Sequence, residues 1–231
     1  MRILVIDDES ATLAMFKLFL TAYGYEVYTA ENGENGIMLF DEQKPDIVFT
    51  DIKMPGMDGL EVLRQIRQSD NEAQVIIITG HGDLEKAVEA LDLDASDFIN
   101  KPVDRAALDA ALARALKRKN LPALIPFELD TCSNSNSFDV RLVGRLTEEA
   151  ADRFHQLDIP DQITSMNMIL DDSFSINRGG IDLLVTILKQ WTVPEINISN
   201  ITYNYARVFQ MIGVDKYADL VTADPLEQEL G

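Results

Sequence analysis

Five times between Met1 and Lys119 a short apolar run is followed by an amphipathic segment of helical length, and no other feature of the chain constrains its fold as tightly. The apolar runs are ILVID, EVYTA, DIVFT, QVIIITG and DFINK. The helical segments lie near Ala11 to Tyr23, Gly33 to Asp41, Leu60 to Gln68, Leu84 to Leu91 and Ala106 to Lys119. Strands that are apolar throughout need cover on both faces, and parallel neighbours need a crossover between them. The pattern predicts an α/β fold: a five-stranded, doubly wound parallel sheet with helices on both faces, complete within residues 1–119.

Pro122 and Pro126, in NLPALIPF, stop the fifth helix and make a short, stiff linker over residues 120–126. A second, smaller α/β domain is expected over residues 127–231. Its strand candidates are FELDT, FDVRLVG, TSMNMILD and EINIS, with helices at Glu148 to Gln156, Ile181 to Trp191 and Tyr203 to Ile212.

Charge narrows the choice of partner. The 231 residues carry a formal net charge of −19, with 13 Lys/Arg against 22 Asp/Glu in residues 1–121 and 7 against 17 in the rest. Neither half offers a footprint for a polyanion, and the basic stretch RALKRKN at Arg114 to Asn120 is what a helix dipole favours in a last turn. Nucleic acid is therefore not an expected partner. No apolar run approaches 18 residues, so no membrane span is expected. MRILVIDDES reaches charge after four apolar positions, too short for a secretory signal, and a cytoplasmic location is the expectation. Cys132, the single cysteine, excludes an internal disulfide and a thiolate cluster. His155 reads as a surface residue, and the N-x-S/T triplets at Asn197 and Asn200 mean nothing in a cytoplasmic protein.

In an open parallel sheet, functional groups gather where strands end at the carboxyl edge. Here those residues are Asp7 and Asp8 after the first strand, Asp51 after the third, Thr79 after the fourth and Lys101 after the fifth. Three carboxylates on one edge repel one another unless a cation lies among them, and a hard oxygen-rich site suits Mg²⁺. A carboxylate held beside Mg²⁺, a hydroxyl and an ammonium group is built to accept a phosphoryl group in line. Asp51 is then the nucleophile, Asp8 and Asp7 hold the metal, and Thr79 and Lys101 each bind a phosphoryl oxygen. Phosphatases of the haloacid dehalogenase type use the same residue types, but in an Asp-x-Asp array after the first strand. Asp7 and Asp8 are adjacent, and the nucleophile candidate follows the third strand. His81 lies close in sequence, either to donate to a phosphoryl oxygen or simply to face solvent.

VIDDES with Asp7 and Asp8, FTDIKMPGMDGLEVL with Asp51, IIITG with Thr79 and DFINKPVD with Lys101 together resemble the receiver domain of two-component response regulators. The resemblance implies that Asp51 is the phosphoacceptor, charged by a sensor histidine kinase, a phosphotransfer protein or a small phosphodonor. It adds the main-chain carbonyl of Lys53 to the metal ligands Asp7, Asp8 and Asp51, and it implies a cis peptide between Lys101 and Pro102. Phe98 takes the place of the family's switch aromatic, turning inward as Thr79 moves toward the phosphoryl group.

In the second half the helix IDLLVTILKQW is apolar and the surroundings acidic, which argues against a DNA-reading output. Asp171 and Asp172 with Asn177 lack the partner groups of an enzyme site, and no enzymatic activity is expected. The order strand, helix, MNMILDD, SINRGG, apolar helix, EINIS, helix resembles the STAS domain over residues 127–220. Regulated members of that family have Asp-Ser-Ser-Gly at the turn, and a partner kinase phosphorylates the first serine. Aligned on Gly180, this chain has Asn177, Arg178 and Gly179, and Arg178 cannot accept a phosphoryl group. Either the two glycines let the helix start close to the sheet, or Asn177, Arg178 and Gly179 form a docking surface for an acidic or phosphorylated group. Ser173 and Ser175 lie nearby without aligning. The expectation is a response regulator whose receiver controls protein interactions of a STAS-like output domain, with an anti-sigma-type serine kinase as the kind of partner implied. The alternative is a phosphorelay intermediate or scaffold whose second half serves only to form a homodimer.

Overall fold

The computed structural model describes residues 1–70, 72–80, 84–121, 125–134, 136–160 and 162–222. The chain divides into two units, Met1–Ala123 and Leu124–Gly231. The expected linker residue Pro122 and the candidate His81 lie outside the described residues.

The first unit runs β1 (Arg2–Ile6), α1 (Ser10–Ala22), β2 (Glu26–Ala30), α2 (Gly33–Gln43), β3 (Ile47–Asp51), α3 (Gly59–Ser69), β4 (Gln74–Thr79), α4 (Leu84–Asp92), β5 (Asp97–Asn100) and α5 (Arg105–Lys119). All five strands pair in parallel, in the order β2-β1-β3-β4-β5. After β2 the direction of growth reverses, and right-handed crossovers then place helices on both faces. One face carries Ile3, Val5, Phe49, Ile76, Ile78 and Ile99 against Phe16 and Leu20 of α1 and Leu108 and Leu112 of α5. The alternate positions Leu4, Ile6, Val48, Ile77 and Phe98 are equally buried, beneath the side of the sheet met by α2, α3 and α4. This double burial is why the strands read as continuous apolar runs.

The second unit runs β6 (Glu128–Ser133), β7 (Ser137–Val143), β8 (Arg145–Leu146), a 3₁₀ turn (Glu148–Ala150), α6 (Ala151–His155), β9 (Ser165–Leu170), β10 (Ser175–Ile176), α7 (Arg178–Gln190), β11 (Glu195–Ile201), α8 (Tyr203–Met211), a 3₁₀ turn (Val214–Lys216) and β12 (Asp219–Thr222). Its main sheet has the order β12-β11-β9-β7-β6, antiparallel between β6 and β7 and parallel elsewhere. From β7 the chain adds each strand on the same side, so right-handed crossovers put the connecting helices on a single face. The burial pattern agrees: Val140, Leu142, Met166, Met168, Ile196 and Ile198 are buried, whereas Asp139, Asn167 and Asn197 stand on the opposite face. There Asn167 Nδ2 donates to Asp139 Oδ1 at 2.7 Å and Asn197 Nδ2 to Asn167 Oδ1 at 3.4 Å, a polar ladder across three strands.

Four features depart from the sequence reading. The helix expected from Glu148 to Gln156 is a 3₁₀ turn followed by a single α turn. β8 and β10 form a separate parallel two-residue pair, and β12 is a fifth main-sheet strand that no apolar run announces. The helix expected at Ile181 begins at Arg178.

Candidate functional site

Three parallel strands deliver the acidic and basic groups to one place because each ends at the same edge of the sheet. Asp7 and Asp8 follow β1, Asp51 closes β3, and Lys101 follows β5. The β3–α3 connection is short and tight. Asp58 caps α3 by accepting from Glu61 N at 2.9 Å, Gly59 N donates to Ile52 O at 3.2 Å, and a Cβ at Gly59 would run into the main-chain oxygen of Asp51. Only glycine lets α3 start this close to the strand end.

Asp7 is fully buried and Asp51 nearly so, while Asp8 is exposed. One lysine serves both buried carboxylates: Lys101 Nζ lies 3.1 Å from Asp51 Oδ2 and 3.2 Å from Asp7 Oδ2. Asp7 Oδ1 accepts from Glu9 N at 2.8 Å, but Asp7 Oδ2, though close to the ammonium, has no donor aligned for a hydrogen bond. Burial pushes the carboxyls of both Asp7 and Asp51 above the ordinary aspartate range, against the pull of Lys101. At Lys101 burial acts downward, yet hydrogen bonding and Coulombic attraction from Asp51, joined by Asp7, leave the ammonium held above its usual value.

Carboxylate oxygens of Asp7, Asp8 and Asp51 lie within 4.8 Å of one another, the one such acidic group among the described residues. Three hard oxygen donors, with the buried Asp7 Oδ2 lacking an aligned donor, fit a small divalent cation such as Mg²⁺. Lys53 is exposed, two residues beyond Asp51 in the loop to α3.

Thr79 ends β4, is 1 % exposed, and its hydroxyl donates to Asn100 Oδ1 at 3.0 Å. Lys101 N donates to Thr79 O at 2.6 Å, and the Lys101–Pro102 peptide is cis. Phe98, 0 % exposed, is inside the fold in this structure. Asn100 was not singled out by sequence. Its partner is set by the β4–β5 register, in which Thr79 faces Asn100, and register between two continuously apolar strands leaves no trace in composition.

The second candidate site looks different. Asn177 is an N-cap, accepting from Gly180 N at 2.8 Å, and Arg178 and Gly179 form the first turn of α7. A Cβ at Gly180 would collide with Leu146 O, and one at Gly179 with the carboxylate of Glu148. The glycines therefore bring the helix against β8, and Glu148 already presents an anion at its N-terminus. Ser173 Oγ accepts from Gly144 N at 3.0 Å, and Ser175 N donates to Gly144 O at 3.1 Å, so both serines help to fix this turn.

Fold and site thus define a flavodoxin-like α/β domain with a lysine-bridged acidic cluster at its carboxyl edge. Residues 3–113 match the response regulator receiver domain family, and the N-terminal half of the chain is a receiver domain. The transcriptional regulatory protein AfsQ1 of Streptomyces coelicolor is 39% identical over 116 residues, 50% of this chain and 51% of that protein. The regulatory protein AtoC of Escherichia coli is 37% identical over 120 residues, 52% of this chain and 26% of that protein. The chain thus spans about half or less of these relatives. A receiver domain protein from Clostridium thermocellum, known by crystal structure, is 42% identical, with a TM-score of 0.49 over 51% of this chain and 95% of that one. The family match does not reach the second unit, and no helix among the described residues is long and apolar enough to cross a membrane.

Proposed function

We propose that this chain is a response regulator of a two-component system, phosphorylated on Asp51, whose second unit is a STAS-like protein-interaction module with no enzymatic activity of its own. The observation that carries the first part is the single ammonium of Lys101 placed between the buried carboxylates of Asp51 and Asp7. A carboxylate oxygen of Asp51 attacks the phosphorus of a histidine-kinase, phosphotransfer or small-molecule donor. The new oxygen–phosphorus bond forms as the donor's bond to phosphorus breaks, and the departing group keeps that electron pair. Lys101 opposes the upward push of burial on the Asp51 carboxyl and so favours its charged, nucleophilic form, then passes to a phosphoryl oxygen as charge moves outward. Thr79 donates its hydroxyl to another. Asp7, Asp8, Asp51 and the Lys53 carbonyl would hold Mg²⁺, which supplies neutralisation of the phosphoryl oxygens when bound.

The STAS-like reading is supported by the mixed sheet, with one antiparallel edge and successive parallel strands, and by the glycine turn opening α7. In this reading the turn signals by shape rather than by phosphorylation, because Arg178 stands where an acceptor would be and Glu148 covers the helix end. The acidic second half favours a protein partner over nucleic acid. The test is labelling with a small phosphodonor and Mg²⁺. Wild type acquires one base-labile phosphoryl group and Asp51→Asn acquires none; equal labelling of the two would refute the acceptor assignment.

A further inference from the structure

We propose that Asn100 is a positioning residue that holds the Thr79 hydroxyl away from the phosphoryl group and thereby sets how readily Asp51 is charged; this rests on the reading of Asp51 as the acceptor. A threonine hydroxyl has one proton to donate. Here that proton goes to Asn100 Oδ1, at 3.0 Å. A phosphoryl oxygen on Asp51 is an acceptor only, so it must claim the same proton, and the two hydrogen bonds exclude each other. Thr79 is 1 % exposed, so bulk water does not supply a ready replacement for Asn100.

The local frame confines the exchange to the side chain. The Thr79 main chain is pinned by the bond from Lys101 N to Thr79 O, and the β4–β5 register fixes Thr79 opposite Asn100. Side chains alternate along a strand, so Asn100 shares its face of β5 with Phe98, and Thr79 shares the adjoining face of β4 with Ile77. The hydroxyl therefore changes partners beside the buried Phe98 ring, on the side of the sheet toward α4. Asn100 also immediately precedes Lys101, so the residue that restrains the hydroxyl and the one that pairs with Asp51 move as neighbours on one strand end.

Losing the Asn100 acceptor removes a stabilisation specific to the uncharged state. The net worth of a neutral hydrogen bond corresponds to a shift of about 2- to 13-fold. The experiment uses the full chain with Mg²⁺, reading beryllofluoride affinity by calorimetry and the rate of labelling by acetyl phosphate. Asn100→Leu, close in shape and without an acceptor, is expected to tighten the first and speed the second by about that factor. Asn100→Ala serves as the second variant, and thermal melting checks the fold of each. In a Thr79→Val background, where no hydroxyl is left to compete for, Asn100→Leu should change neither reading. Unchanged affinity and rate in folded Asn100 variants overturn the inference, as does an equal gain without the Thr79 hydroxyl. Failure of wild type to bind beryllofluoride or to be labelled overturns instead the reading of Asp51 on which it rests.

Discussion

Asp7 and Asp51 are two buried carboxylates that share one ammonium, which leaves part of their charge uncompensated. Burial raises both carboxyls above the usual range because the charged form loses hydration, and Lys101 offsets that loss for two groups at once. Ionisation of these two carboxyls therefore works against folding. Asp7→Asn keeps the shape and removes one of the two charges. Because ionisation of a buried carboxyl held above its usual range opposes folding, the substitution should stabilise the metal-free protein, and, if Asp7 holds Mg²⁺, it should remove most of the stabilisation that the ion gives. Denaturant titration with and without Mg²⁺ checks both. A destabilised Asp7→Asn protein would overturn the argument from buried charge, and one still stabilised by Mg²⁺ as strongly as wild type would remove Asp7 from the metal site. All the acidic and basic members of this site were legible in the sequence, because strand-end position alone brings them together. What was not legible is who bonds to whom: Thr79 to Asn100, and Glu148 over Gly179, depend on register and packing between segments far apart in the chain.

At the scale of elements, the long buried strands and helices of the first unit announced themselves, and the short elements of the second did not. Four of the five strands are buried on both faces and read as apolar runs, while the edge strand β2, only partly buried, is legible from its place in the alternation. β8 and β10 are two residues each, and β12 is largely exposed, so neither pair nor edge strand carries an apolar run to be read. These small pieces nevertheless decide the form of the α7 entry. Leu146 O, at the end of β8, lies against Gly180, and Asn177 closes the first turn of the helix. Gly180→Ala forces a methyl group onto that carbonyl oxygen and should cost about 1–3 kcal/mol, the range for overpacking a close contact. Asn177→Ala should cost about 1 kcal/mol through the lost cap. Gly179→Ala meets a carboxylate side chain that can swing aside, and should cost less than Gly180→Ala. Urea unfolding of the three variants orders them; a Gly180→Ala protein as stable as wild type would mean that α7 does not need its close seat on β8.

Across the whole molecule the two units differ in how their sheets grow, and so in what each can offer. Reversal after β2 in the first unit covers both faces and leaves function to the carboxyl edge, where the acidic site lies. Growth in one direction in the second puts its helices on one face and leaves the Asp139, Asn167 and Asn197 ladder on the other. In the response-regulator reading the phosphoryl group is carried by a residue of the first unit, and control of the second requires a free energy of coupling between them. Phosphorylation shifts an equilibrium only by its differential stabilisation of two states. A typical coupling of about 1–3 kcal/mol changes partner affinity by roughly 5- to 150-fold. In the response-regulator reading, Mg²⁺ with beryllofluoride on Asp51 should therefore alter the affinity of the second unit for its protein partner by that order, and Asp51→Asn should abolish the change. Self-association by analytical ultracentrifugation supplies the same readout where the partner is a second copy. Affinities equal within twofold with and without beryllofluoride, in a protein that demonstrably binds it, would mean that the second unit lies outside the control of Asp51, and the relay or scaffold reading would replace the present one.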